Sequence, residues 1–421
     1  MKVKHWWYAG VAAATLVAVA GYALMLSQRR VIRVRVYSDY SFRMQHSNWP
    51  DLLESRFRDA ALIFQRSGAG VKWKVLGSND TDPTSDMATL DGRRNVLPEL
   101  GDNKAAVLVS FTGLHEGDRI GSTNPFSRAV MVVDFPDRPE SANAIILAGN
   151  LAHMFAAPVD AAWVQSASAG APQSVRLPPR VVTLIHQLRR YNFAAGVDGL
   201  LEGRWAQRAA DAIAQADTTP NSNPAAHGQQ VVGIALLNDR RRDAAVVHLR
   251  EATRIDPKSV SLHVETALAL SRNGQDADAL AELAEAIRLE PNSAVLHQSL
   301  ASLLVKMRRP EEATEEITMA ARLDPKNASC YNSRAWLWAT CPVAKYRDGK
   351  NAVESARKAL EINETKTGYK ETLAAAYAEV GDFEGAVRLQ EQALQDPQFR
   401  NDEGSRRRLE LYRKKMPYRD E

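Results

Sequence analysis

The residues best placed to do chemistry fall in one string, Gly149-Asn150-Leu151-Ala152-His153-Met154-Phe155-Ala156-Ala157-Pro158-Val159-Asp160. Two histidines at i and i+4 share a helical face and can grip one zinc ion. A glutamate between them polarises the attacking water, and a third histidine beyond a glycine turn completes three protein ligands. Of that set the string keeps only His153 and the trailing Asp160. Gly149 stands at the first ligand, Asn150 at the base, Ala156 at the turn glycine and Val159 at the third ligand. One imidazole cannot hold a catalytic zinc, so the expectation is no bound metal, no cofactor and no catalytic residue. His153 is then a relic or a hydrogen-bonded core side chain. His115 and Glu116 lie in a glycine-containing loop, where a solvated turn is the expected reading rather than replacement ligands.

The elements that would position this string form a small α/β or α+β domain over 31–178. Val31–Tyr37 and Val71–Leu76 alternate apolar with basic residues, and Ala105–Phe111 and Ala129–Phe135 are compact apolar runs, which predicts four strands. Pro50–Arg66 carries an apolar face at helical spacing, and Ser141–Ala157 reads as a second, buried helix. With a strand leading into that helix, the segment resembles a metzincin-type zinc metalloprotease domain that has lost most of its H-E-x-x-H-x-x-G-x-x-H motif. The resemblance implies a catalytically dead, protease-like domain. No methionine turn follows: the loop from Ser166 to Pro179 has no Met.

The C-terminal half carries a different pattern. Pro257, Pro291 and Pro325 stand 34 residues apart, each closing a near-copy: Arg254-Ile255-Asp256-Pro257, Arg288-Leu289-Glu290-Pro291 and Arg322-Leu323-Asp324-Pro325. Numbering each proline as position 32 starts the repeats at Ala226, Val260 and Ala294. Small residues then recur at position 8 (Gly233, Ala267, Ala301), position 20 (Ala245, Ala279, Ala313) and position 27 (Ala252, Ala286, Ala320). Larger apolar residues hold position 11 (Leu236, Leu270, Leu304) and position 24 (Leu249, Leu283, Ile317). A fourth unit from Ala328 keeps Ala335, then breaks register at an insertion around Cys341–Gly349; a fifth starts at Thr367, and Glu403–Lys415 reads as a capping helix. This period is that of tetratricopeptide repeats, helix-turn-helix units stacked into an all-α solenoid. The string Ala335-Trp336-Leu337-Trp338-Ala339-Thr340-Cys341-Pro342 with Tyr346-Arg347-Asp348-Gly349 resembles a variant repeat of bacterial tetratricopeptide proteins.

That resemblance implies a concave surface lined by positions 2, 5, 6, 9, 12 and 13 of the first helices. Those positions supply Glu265, Arg272, Gln298, Lys306, Asn332, Trp336, Glu371 and Glu379, a groove of mixed charge for a protein or peptide ligand. The chaperone-type clamp, lysine at position 5 with asparagine at position 9 of one unit, is not present. Asn332 and Trp336 are the anchor-like pair, Trp336 packing either against a ligand or against the insertion.

At the N-terminus, Trp6 to Leu26 has no charged side chain, Lys2 and Lys4 precede it, and Arg29, Arg30, Arg33 and Arg35 follow. That length spans a bilayer, and Trp6, Trp7 and Tyr8 suit an interfacial belt. The expectation is an uncleaved single-pass anchor over 1–30, membrane contact through residues 6–26, and an extracytoplasmic body. The arginines after the span argue for the opposite sidedness by the positive-inside rule. Connector and linker fall at 179–224, repeats at 225–400, and cap and tail at 401–421. A net charge of +4 over 421 residues, without a basic and aromatic block, excludes nucleic acid as the expected partner. Cys330 and Cys341, roughly 16 Å apart along one helix, do not pair. The function expected is a membrane-anchored scaffold that is not an enzyme. The alternatives are a hydrolase with a nonstandard site and a cell-envelope assembly factor.

Overall fold

The computed structural model describes residues 30–79, 105–112, 121–135, 138, 140–157, 175–217, 222–400 and 402–420. The expected anchor, His115, Glu116, Val159 and Asp160 lie outside them. Among the described residues no helix is long and apolar enough to cross a membrane. The chain divides into two compact units, Met1–Ile255 and Asp256–Glu421.

The first unit is built on a five-stranded sheet: β1 (Arg30–Ser38), β2 (Val71–Asn79), β3 (Val107–Thr112), β4 (Gly121–Thr123) and β5 (Ala129–Val133), in the order β2-β1-β3-β5-β4. All pairings are parallel except β4 with β5. β3 and β5 are buried at every residue, as central strands of a covered parallel sheet must be, which is why they read as unbroken apolar runs. β4 is the strand that sequence does not announce. Three residues, Gly121-Ser122-Thr123, are too few for a period.

Three helices accompany the sheet: α1 (Tyr40–Gln45), α2 (Trp49–Arg66) and α3 (Glu140–His153). The Asp39 side chain caps α1 by accepting from the Phe42 amide at 2.8 Å. α2 packs on α3 and buries Leu53, Phe57, Ala60, Ile63 and Phe64. α3 stops at His153, four residues short of the expected Ala157, because Ala156 turns left-handed at φ 57°. A connector follows: α4 (Pro179–Leu188), a 3₁₀ stretch (Phe193–Leu201) and α5 (Trp205–Ala216). Edge-on rings tie it to the segment after α3 and to the β4–β5 loop, Phe155 on Phe193 and Phe126 on Tyr191.

The repeats are antiparallel helix pairs. In the first unit lies α6 (Pro224–Asn238) with α7 (Arg242–Ile255). A Cβ on Gly228 would sit 2.1 Å from the Ala210 carbonyl oxygen, so only glycine lets α6 approach α5 this closely. The second unit holds four pairs: α8 (Val260–Arg272) with α9 (Asp276–Leu289), α10 (Ala294–Lys306) with α11 (Pro310–Leu323), α12 (Ala328–Thr340) with α13 (Gly349–Ile362), and α14 (Thr367–Glu379) with α15 (Phe383–Ala393). α16 (Glu403–Arg413) packs on α15 as the cap. Helices begin at four of the five expected starts, Val260, Ala294, Ala328 and Thr367, and the first begins at Pro224 rather than Ala226. The small residues are buried without exception: Ala245, Ala279, Ala313, Ala252, Ala286 and Ala320 have no exposed surface.

The turn inside each regular pair repeats as well. Its position 15 is left-handed at Arg240, Gly274, Arg308 and Gly381, with φ from 59° to 87°. The next amide reaches back to the helix carbonyl five residues before it, as in Arg309 N–H to Leu304 O at 2.8 Å and Gln275 N–H to Leu270 O at 2.9 Å. This is the Schellman closure, and glycine occupies it without steric cost.

Candidate functional site

α3 carries the first five residues of the string singled out in the sequence, Gly149 to His153. Asn150, at the place of the base, is buried; its side-chain oxygen accepts from Thr123 Oγ1 of β4 at 3.1 Å and its amide donates to the Ile146 carbonyl at 3.0 Å. The group therefore fastens the edge strand to the helix. The His153 Nδ1 lies 3.2 Å from the Ala157 carbonyl, and burial, only partly opposed by that contact, holds the imidazole pKa below its ordinary value. A neutral, backbone-bonded ring is a packing element. Ala156, at the turn glycine, keeps the left-handed conformation that a glycine would occupy freely. Among the described residues no group of three or more His, Cys, Asp and Glu side chains is arranged to hold a metal ion.

The deepest polar cluster of the first unit gathers at the carboxyl ends of β1, β3 and β5. Asp134, with no exposed surface, takes His46 Nε2 at 2.6 Å and Arg56 Nη1 at 2.7 Å; Arg56 also grips Glu140 through Nε and Nη2 at 2.8 and 2.9 Å. The Arg56–Asp134 approach is a charge contact rather than a directed hydrogen bond. Burial alone would lower the Arg56 pKa, but Glu140 and Asp134 more than offset it and the guanidinium stays charged. Phe42 and Phe111 flank the guanidinium at 5.5 and 5.9 Å. The charges are matched within the cluster, and among its side chains only that of Glu140 is largely exposed to solvent.

In the second unit α10, α11, α12 and the insertion enclose a cavity of about 760 Å³ lined by Lys306, Arg308, Asn332, Trp336, Val343 and Asp420. Three expected groove residues, Lys306, Asn332 and Trp336, thus meet at one place. Lys306 is held there by the preceding repeat, its Nζ donating to Ser271 O at 2.6 Å and pairing with Asp276 at 2.6 Å. Asn332 Oδ1 is buried and has no hydrogen-bond partner among the described residues. The remaining residues sit elsewhere. Gln298 bridges α10 to α12 through Ser329 Oγ at 2.7 Å, Glu265 is half-buried with a partner, and Arg272 is exposed. Glu371 is buried rather than groove-facing, because Gln390 and Arg408 hold its carboxylate behind the cap. Glu379 is paired with Arg347 at 2.9 Å and Arg419 at 2.7 Å.

No family model matches the chain, and no curated protein matches it. Solved structures do. A thermophilic TPR protein of Thermus thermophilus is 20% identical over 44% of this chain and 98% of its own, with a TM-score of 0.37. YrrB, described as a TPR protein with an unusual peptide-binding site, is 16% identical over 45% of this chain and 92% of its own, with a TM-score of 0.35. A tetratricopeptide repeat protein from Parabacteroides merdae is 16% identical over 45% and 74%, with a TM-score of 0.39. The tetratricopeptide assignment rests on the chain's own 34-residue period and the helix pairs that realise it.

Three features escaped the sequence. His263 and His297, one period apart, each bridge a glutamate on the paired helix at 2.6 Å (Glu282, Glu316) and a proline carbonyl at 3.0 Å (Pro257, Pro291). Equal spacing of the four partners was the available signal. The buried Arg56 cluster joins residues more than eighty positions apart and had none. The contacts of Trp336 with the C-terminal tail had no signal in the sequence either. Its ring lies 5.9 Å from Tyr418, and its Nε1 donates to Asp420 Oδ2 at 2.9 Å.

Proposed function

We propose that the chain is a membrane-anchored interaction scaffold whose second unit receives a segment of a partner protein, and that its sheet domain is a protease-like domain without catalysis. The carrying observation is the cavity of about 760 Å³ at Asn332 and Trp336, where an aromatic ring and an unpartnered buried acceptor face the same space. Peptides bind such surfaces through a buried aromatic anchor and a few directed polar groups. Support for the non-catalytic reading comes from Asn150 and His153, both engaged in internal contacts where a base and a ligand would stand. The anchor reading rests on the uncharged run from Trp6 to Leu26, and the exported orientation on the short basic N-terminus before it.

The test is crosslinking and capture from intact membranes, comparing the wild type with the Asn332→Ala, Trp336→Ala double variant. Loss of a specific crosslinked band in the variant is the expected result. The same bands at the same intensity in both proteins would reject this groove as the binding surface. Removing residues 1–29 should release the body to the soluble fraction, and its retention on membranes would refute the anchor.

A further inference from the structure

One wall of the groove is formed by the chain's own C-terminal tail, with Trp336 and Asp420 standing together in the lining of the cavity. α16 ends at Arg413, Lys415 just beyond it is left-handed at φ 56°, and Met416 N–H closes on Leu411 O at 2.9 Å, so the chain leaves the cap in a fixed direction. Pro417 then prevents helix continuation. The next three residues each meet a complementary group. Tyr418 lies beside Trp336, with the Arg408 guanidinium over both rings at 5.5 and 5.6 Å. Arg419 pairs with Glu379 at 2.7 Å and donates to the Ala339 carbonyl at 3.3 Å. Asp420 accepts from the Trp336 indole, and its own amide donates to the Thr340 carbonyl at 2.9 Å.

The last carbonyls of α12 are free to receive these donors because a helix end leaves its final carbonyls unpaired, and Pro342 stops the chain from continuing the helix there. A side-chain ring, a cation, a carboxylate and a main-chain amide are thus all read by one end of the array. Simple capping of apolar surface needs none of the last three.

We infer that residues 416–420 are a tethered stand-in for the ligand. The partner that fits is then an extended protein segment with an aromatic residue, a basic residue and an acidic residue in succession, the chemistry of Tyr418-Arg419-Asp420. This rests on the scaffold reading above and adds a regulatory element to it, since a partner must displace the tail before it can engage the Trp336 ring and the end of α12. A tethered segment competes at high effective concentration, so the free chain has a reduced apparent affinity equal to its intrinsic affinity multiplied by the open fraction.

The experiment is fluorescence anisotropy with a labelled synthetic peptide, Lys-Met-Pro-Tyr-Arg-Asp-Glu. It is titrated with the full chain, with the Tyr418→Ala, Asp420→Ala double variant, and with a second opened form ending at Lys415. The opened forms should bind, and the wild type should bind about tenfold or more weakly, as expected when the competent state is a minor one. Adding Trp336→Ala to the double variant should abolish binding. Absence of binding by both opened forms, each confirmed as folded by circular dichroism, overturns the inference, as does equal binding by wild type and opened forms. If the opened forms ignore the peptide while the membrane crosslink still depends on Asn332 and Trp336, the scaffold reading stands and the tail is only a cap. If the crosslink is also indifferent to those residues, both readings fall.

Discussion

In the sheet domain the deepest side chains include charges, whereas in the repeats they are mainly alanines and leucines and none is charged. Arg56 and Asp134 are sealed between α1, α2 and the strand ends, with His46 and Glu140 completing the set. The regular repeats carry arginine–glutamate pairs on the outside, at Arg254–Glu251, Arg288–Glu285 and Arg309–Glu312, all three residues apart on a helix surface, while the largely buried Glu371–Arg408 pair joins the last repeat to its cap. The first arrangement is specified by partners distant in sequence, and failure of one partner strands the others. The second is specified by a local period, and each site contributes through shape. The two regions should therefore break in different ways.

The largest effect expected is from Arg56→Ala. It leaves Asp134 buried with His46 alone, and breaking a buried pair by removing one partner costs about 3–5 kcal/mol. Hydrogen exchange in β1 and β3 should accelerate while α8 to α15 keep their protection. Unchanged exchange in the strands would show that the cluster does not hold the sheet.

In the repeats Ala320→Leu is the matching probe. Ala320 has no exposed surface and packs with Ala301, Ile317 and Cys330, so overpacking should cost about 1–3 kcal/mol. The urea midpoint of the second unit should drop, and a midpoint equal to wild type would mean that the small-residue positions tolerate bulk.

A gain is expected from Ala156→Gly. Relieving a left-handed non-glycine residue is worth about 1–2 kcal/mol, less the greater chain entropy of glycine, leaving a net gain of about 1 kcal/mol or less. A loss of stability would mean that the Ala156 methyl packing outweighs the backbone strain.

The smallest effect is in pH. Burial lowers the folded pKa of His153, and His248 is shifted the same way by the same cause. The unfolded chain then takes up protons first as pH falls through about 6.5, so stability is full above that value and is lost toward the depressed folded values. The first unit should weaken between pH 7 and 5, and His153→Gln should flatten that slope. An identical slope in the variant would remove His153 from the account.

How much of this was legible follows from the same contrast. The starts of α8, α10, α12 and α14 at Val260, Ala294, Ala328 and Thr367 were readable because a repeat buries the same position each time. β3 and β5 were readable as apolar runs, but β4 was not, being held by its pairing to β5 and by Thr123 to Asn150. Position numbering brought Lys306, Asn332 and Trp336 together, yet it placed Glu371 in the open, because it takes no account of a cap folding over the last helices. The tail was missed since Met416–Asp420 has no period, and its partners lie about eighty residues upstream.

The left-handed turn residues have a consequence for how the surface of the array can vary. Position 15 touches no core, so its identity is set by backbone conformation and by what it presents to solvent. Gly274 and Gly381 present nothing, while Arg308 stands at the rim of the cavity beside Lys306 and Val343. Exchanging glycine and arginine there would add or remove one positive charge at the mouth of the groove while every buried alanine stays in place. The turn is thus a port at which the electrostatics of the array can be reset independently of its architecture.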